Sequence, residues 1–132
     1  MKRLALLSFF LCFLFTSCTK EEIKIDQDNL LIGIWIYSDF QDNTVIYTRD
    51  QEFTDNHCYK FNSDGTIIER KNSGWCGTPP ISYSDFEGSW SVLNDTLIQI
   101  KVGYWGGTMS YNLDIESVST NSLKLVYIPI DE

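Results

Sequence analysis

The sequence predicts an all-β protein, an eight-stranded antiparallel up-and-down barrel, on three observations. From Leu30 onward no stretch carries the 3.6-residue apolar period of an amphipathic helix. In its place come short runs rich in Ile, Val, Tyr, Trp and Thr, punctuated by Gly, Asn and Asp. Where the phase is readable the runs alternate, so each has one dry face and one wet face.

Taken in order, the predicted strands are residues 31–37, 43–50, 57–62, 66–71, 87–93, 96–102, 108–117 and 122–128. Ser63-Asp64-Gly65 supplies the positive-φ position of a tight turn between the third and fourth, Asn94-Asp95 another and Asn121 a third. Neighbours joined this closely must be antiparallel. Ile98, Ile100 and Val102 alternate with Gln99 and Lys101; Tyr111, Leu113 and Ile115 alternate with Asn112, Asp114 and Glu116; Leu123, Leu125 and Tyr127 flank Lys124. In the second strand the register stays open. Arg49 points inward if Val45 and Tyr47 share its face, and outward if Thr44, Ile46 and Thr48 form the dry side. A one-sided sheet with free edges invites aggregation, and closure removes those edges. A sandwich is the competing architecture, but a Greek key needs a long crossover that these short connections do not offer.

The 132 residues suffice for one domain, and 43% hydrophobic content with 14% aromatics exceeds what a disordered chain carries. A formal charge of −8 excludes binding to nucleic acid through a basic patch and predicts a well-solvated surface.

Residues 1–17 read as a secretory signal: Lys2 and Arg3, an apolar run from Leu4 to Phe15 broken only by Ser8, then Thr16 and Ser17. The run is shorter than the roughly 20 residues a membrane-spanning helix needs. Phe15-Thr16-Ser17-Cys18 resembles a bacterial lipobox, with Phe15 where Leu is usual. That resemblance implies a diacylglycerol on Cys18 and cleavage before it. Thr19-Lys20-Glu21-Glu22 resembles the surface-export signal of Bacteroidota-type lipoproteins, which places the protein at the outer membrane, lipid-anchored and surface-exposed; a solvated linker is the plainer reading. Loss of residues 1–17 leaves 8 bases against 18 acids, a charge of −10. Attraction to anionic lipid then contributes nothing, and two or more acyl chains must supply the anchoring. Residues 18–29 read as the lipidated cysteine and an acidic tether, and residues 30–132 as the barrel domain.

Gly33-Ile34-Trp35 resembles the Gly-x-Trp element on the first strand of lipocalins, and Gly88-Ser89-Trp90 repeats it at the start of the second half. With the phrases Tyr59-Lys60-Phe61-Asn62-Ser63-Asp64-Gly65-Thr66 and Gly88-Ser89-Trp90-Ser91-Val92, the chain looks like the lipocalin-like domain of small Bacteroidota-type surface lipoproteins over residues 30–128. The resemblance implies that Trp35 closes one end of the barrel. The chain is shorter than large lipocalins and lacks their C-terminal helix, which argues against a roomy calyx.

Cys12 leaves with the signal and Cys18 takes lipid, so Cys58 and Cys76 are the pair expected to oxidise outside the cytoplasm. A bridge would close a loop of about 18 residues, worth roughly 3 kcal/mol. The rival, a two-cysteine metal site, lacks partners because His57 is the sole histidine. Asp50, Glu52 and Asp55 read as a solvated acidic loop rather than a calcium loop. His57 has no nucleophile motif beside it, and neither enzymatic activity nor a cofactor is implied.

Two connections carry aromatic residues. Residues 72–86 hold Trp75, Pro79-Pro80 and Tyr83, and Gly103-Tyr104-Trp105-Gly106-Gly107 forms a hairpin tip. Strand parity sends both to the same end of the barrel. Trp75, Tyr83, Tyr104 and Trp105 are therefore the ligand-binding candidates, with folding back to cap the barrel as the alternative. Asp95-Thr96-Leu97 resembles an O-glycosylation motif of exported Bacteroidota-type proteins, which marks Thr96. Two functions compete: a barrel holding a small apolar or amphipathic ligand, or a filled barrel that contacts glycan or protein through these loops. The inward aromatics Trp35, Tyr59, Phe61, Trp90, Tyr111 and Tyr127 favour a filled interior. A cavity of about 300 Å³ or more favours a ligand.

Overall fold

The computed structural model describes residues 30–74 and 77–130. The signal peptide, Cys18, the tether, Trp75 and Cys76 lie outside the described residues. Eight strands form a closed antiparallel barrel: β1 (Gly33–Gln41), β2 (Thr44–Asp50), β3 (Cys58–Phe61), β4 (Thr66–Asn72), β5 (Tyr83–Val92), β6 (Leu97–Tyr104), β7 (Gly107–Val118) and β8 (Ser122–Pro129). Each contains most of an expected run.

From β3 to β8 the strands neighbour one another in chain order, and β2 pairs with β8 to close the ring. One connection departs from that order. β1 lies between β2 and β3, pairing with both, so the chain from Asp50 to Cys58 must cross β1. It crosses on the outside. Cys58 and Ile36 are register partners on the outer face, yet Cys58 is fully buried and Ile36 is only 8% exposed. The Cys58 thiol faces the carbonyls of Thr54 and Asn56, at 3.7 and 3.2 Å, and Arg70 on the same face donates to Thr54 O and stacks on Phe53. The crossing thus gives the outer wall a small apolar layer of its own.

Two strands extend four residues past an expected boundary. β1 continues past Tyr37 through a bulge at Ser38 and turns at Asp42-Asn43, where both residues take positive φ, the combination a type I′ hairpin turn requires. β5 begins at Tyr83 because β4 pairs with it as far as Asn72, and Arg70 grips Asp85 with two nitrogens at 2.7 and 3.1 Å. Of the three expected positive-φ turn positions only Gly65, at φ 85°, has one. At Asn94 the side-chain oxygen accepts from the amides of Thr96 and Leu97, and that side-chain turn needs no left-handed backbone.

The barrel's two ends differ. At the base lie the Asn62–Gly65 turn, residues 93–96 and residues 119–121; at the mouth lie Asp42-Asn43, residues 73–82 and Trp105-Gly106. Trp35, Phe61, Trp90, Ile98, Ile100 and Leu123 fill the base half with close to no exposure. Trp35 Nε1 donates to Leu31 O and Trp90 Nε1 to Asn62 O, both at 2.9 Å, so each indole is buried with its polar atom paired. Their glycine partners permit close approach. A Cβ on Gly33 would collide with the Arg49 guanidinium, and one on Gly88 with the backbone of Lys101 and Val102.

Candidate functional site

Alternation along β4 aims Ile67, Glu69 and Lys71 into the barrel, and Ile67 packs into the base while Glu69 and Lys71 stand in the mouth half. There the interior is hollow. A cavity of about 250 Å³ is lined by apolar groups of Val45, Met109, Leu113 and Leu125, by the rings of Tyr47, Tyr59, Tyr111 and Tyr127, and by His57, Glu69 and Lys71. Of the inward aromatics expected to fill the barrel, Trp35, Phe61 and Trp90 pack the base, whereas Tyr59, Tyr111 and the 46% exposed Tyr127 line the cavity and leave it open.

Glu69 is the centre of the site. It is 5% exposed, yet it carries three partners: His57 Nε2 at 2.8 Å from Oε1, and Lys71 Nζ at 2.9 Å and the Tyr111 hydroxyl at 3.1 Å from Oε2. Tyr111 donates to Glu69, so the Tyr59 hydroxyl 2.6 Å away donates to Tyr111. With Glu69 ionised, His57 carries a proton on Nε2, and in the neutral ring Nδ1 accepts from the Tyr47 hydroxyl at 3.0 Å. With the imidazole neutral, each hydroxyl and the ring N–H in this chain of contacts has an acceptor.

The electrostatics follow from burial and these partners. Burial pushes the Glu69 carboxyl up, but the hydrogen bond and charge of His57, then the charge and hydrogen bond of Lys71, outweigh it and hold the group below its ordinary range. Burial, reinforced by the Glu69 charge, raises the phenols of Tyr47, Tyr59 and Tyr111 far above their ordinary range. They act as hydrogen-bonding groups and not as nucleophiles.

His57, one residue ahead of β3 and partly exposed as a strand-start histidine should be, lies on the inward side of the chain and closes the network. Arg49, whose direction the sequence left open, shares the inner face with Val45 and Tyr47 but sits at the base. Its guanidinium donates to the carbonyls of Thr120, Ile32 and Leu30, the first two at 2.6 and 2.7 Å. It staples the chain entering β1 to the β7–β8 turn.

Of the four aromatic ligand candidates, Trp75 lies outside the described residues. Tyr83 is half-buried as the first residue of β5, paired with Asn72, and so belongs to a strand rather than a loop. Tyr104 ends β6, half-buried, with its ring edge-on to Trp105 at 5.7 Å; Trp105 is 57% exposed on the turn. The connections after β4 and β6 do emerge at one end, the end with the cavity, but neither Tyr83, Tyr104 nor Trp105 lines it. Thr96 is exposed at the opposite end. Cys58 is a free, buried thiol, and its expected partner Cys76 lies outside the described residues. The outer-face placement of Cys58 under the crossing chain accounts for its burial without a bond.

Glu69 and Lys71 escaped sequence reading because β4 gives no readable alternation: Ile67-Ile68 is apolar on both faces and Glu69-Arg70-Lys71 is charged on both. No protein-family model, curated protein or solved structure matches this chain.

Proposed function

We propose that the protein is a lipid-anchored lipoprotein of the cell envelope whose lipocalin-like barrel binds a small amphipathic ligand in the mouth half of its interior. The observation that carries this reading is the cavity of about 250 Å³ with apolar walls and a fully paired polar network on one side. At about 250 Å³ it falls short of the roughly 300 Å³ that favours a ligand on volume alone, so the paired carboxylate within it supports the reading more than its size does, and any ligand is small. A barrel selected only for stability has little reason to hold a carboxylate where an apolar side chain would cost less. The lipobox-like Phe15-Thr16-Ser17-Cys18 supports the anchoring.

A cavity-filling variant tests the binding. Val45→Trp places an indole at the mouth, and it should abolish calorimetric binding of a neutral aromatic probe such as indole while leaving the melting temperature within a few degrees. Unchanged probe binding in Val45→Trp would move the site elsewhere.

A second reading rests on Trp105. Its 57% exposure beside Tyr104 offers an aromatic face suited to a sugar or a protein partner. Loss of glycan or protein capture in Trp105→Ala, with cavity binding intact, would favour that surface.

A further inference from the structure

The Lys71 ammonium shows what the cavity accepts. Nζ lies 2.9 Å from Glu69 Oε2, 3.8 Å from Met109 Sδ and 5.2 Å from the centre of the Phe86 ring, with its side chain only 16% exposed. It reaches that place on a flexible four-carbon stem from the end of β4, near the mouth. A carboxylate, a sulfur and π-faces are the features that bind an organic ammonium, and the tyrosine rings of the cavity extend the same surface. We infer that the cavity is a site for a small organic amine, whose ammonium displaces that of Lys71 from Glu69 while its apolar part lies against Tyr47, Tyr59, Tyr111 and Tyr127.

An anionic ligand fits less well. Any anion that reached Lys71 would stand beside the Glu69 carboxylate. The Tyr47, Tyr59, Tyr111 and His57 Nε2 donors are already engaged, which leaves the Lys71 ammonium and the neutral Tyr127 hydroxyl to hold it. The formal charge of −8 draws cations toward the protein and repels anions. Lys71 then acts as an internal plug: it keeps the buried carboxylate paired when the site is empty, and its swing to the mouth lets the ligand take over that pairing. No covalent step is involved, only exchange of one ammonium for another.

The inference rests on the binding reading above, and three probes of one shape separate the two: 2-phenylethylammonium, 2-phenylethanol and phenylacetate, titrated calorimetrically into the full chain in detergent. The wild-type protein should prefer the ammonium to the alcohol by about tenfold or more, the usual weight of a charge-assisted hydrogen bond with ring contacts. Lys71→Met, which removes the competitor, should tighten the ammonium further, and Glu69→Gln should erase the preference. Should Glu69→Gln fail to fold, the wild-type probe series and Lys71→Met decide the matter. Equal binding of amine and alcohol, unaffected by Lys71→Met, overturns the amine class and leaves the cavity a ligand site. So does a preference for phenylacetate that disappears in Lys71→Met. Failure of all three probes in both the wild type and Lys71→Met overturns the binding reading itself.

Discussion

The guanidinium of Arg49 stands 4.2 Å from the centre of the Trp35 ring, the two residues facing each other across the β1–β2 pair. This pairing closes the base. The ring packs on Leu31 and the core, while the cation on its other side holds the carbonyls of Leu30, Ile32 and Thr120. One side chain therefore satisfies three backbone acceptors where the chain enters the barrel.

Arg49→Ala should lower stability by about 2–4 kcal/mol, since it removes several charge-assisted hydrogen bonds and the cation–π contact together. Arg49→Lys should recover only part of that, because an ammonium cannot span separate carbonyls as a planar fork does. Urea denaturation of both variants measures it, and a loss below about 0.5 kcal/mol for Arg49→Ala would show the staple to be unimportant.

Glu69 links stability to acid. Its carboxyl is held below the ordinary range in the folded state, so the stability it contributes is present above the unfolded value of about 4.3 and is lost as pH falls through the lower folded value. Asp85, held low by the Arg70 hydrogen bond, acts in the same direction but at the surface, where solvent weakens it. Melting temperatures between about pH 6 and 3 should fall more steeply for the wild type than for Glu69→Gln, with Asp85→Asn changing the slope little.

At alkaline pH the sign reverses. Tyr47, Tyr59 and Tyr111 have folded phenols raised by burial, so their contribution is complete below the unfolded value of about 10 and is lost as pH rises beyond it. In a spectrophotometric titration these three should ionise only together with unfolding. Seven tyrosines ionising reversibly in a folded protein would contradict the buried network.

Cys18 is expected to be the acylated N-terminus. Mass spectrometry of the native protein should find the lipid there, and Cys18→Ser should release the protein from the membrane fraction. An unmodified chain beginning elsewhere overturns the anchor.

Cys58 and Cys76 call for direct measurement. Non-reducing peptide mapping of exported protein distinguishes a bridged pair from free thiols. If Cys58 serves only as filler beneath the crossing chain, Cys58→Ala should cost about 1–2 kcal/mol and the loss should be the same with and without reductant.

The strand pattern was legible because β6, β7 and β8 each expose one face, and strict alternation registers that at once. The same rule failed on β4, where charges occupy both faces because the inner one is hydrophilic by design of the cavity and the outer one faces water and the crossing chain. The aromatic candidates illustrate a different limit. Tyr83 lies three residues past Pro79-Pro80 and Tyr104 follows Gly103, so both read as loop residues, yet backbone pairing with Asn72 and Gly107 draws them into strands.

Local composition by itself determined that this chain forms short antiparallel strands and which residues face the core in the second half, because period-two burial and turn chemistry act over a few residues. Only the tertiary structure decided that β1 lies between β2 and β3, that Arg49 turns inward to the base, and that His57, Glu69 and Lys71 meet in one cavity. Those outcomes depend on pairings between strands distant in the chain. A buried charge is tolerable only when such pairings bring its partners to it, and no local pattern records whether they will.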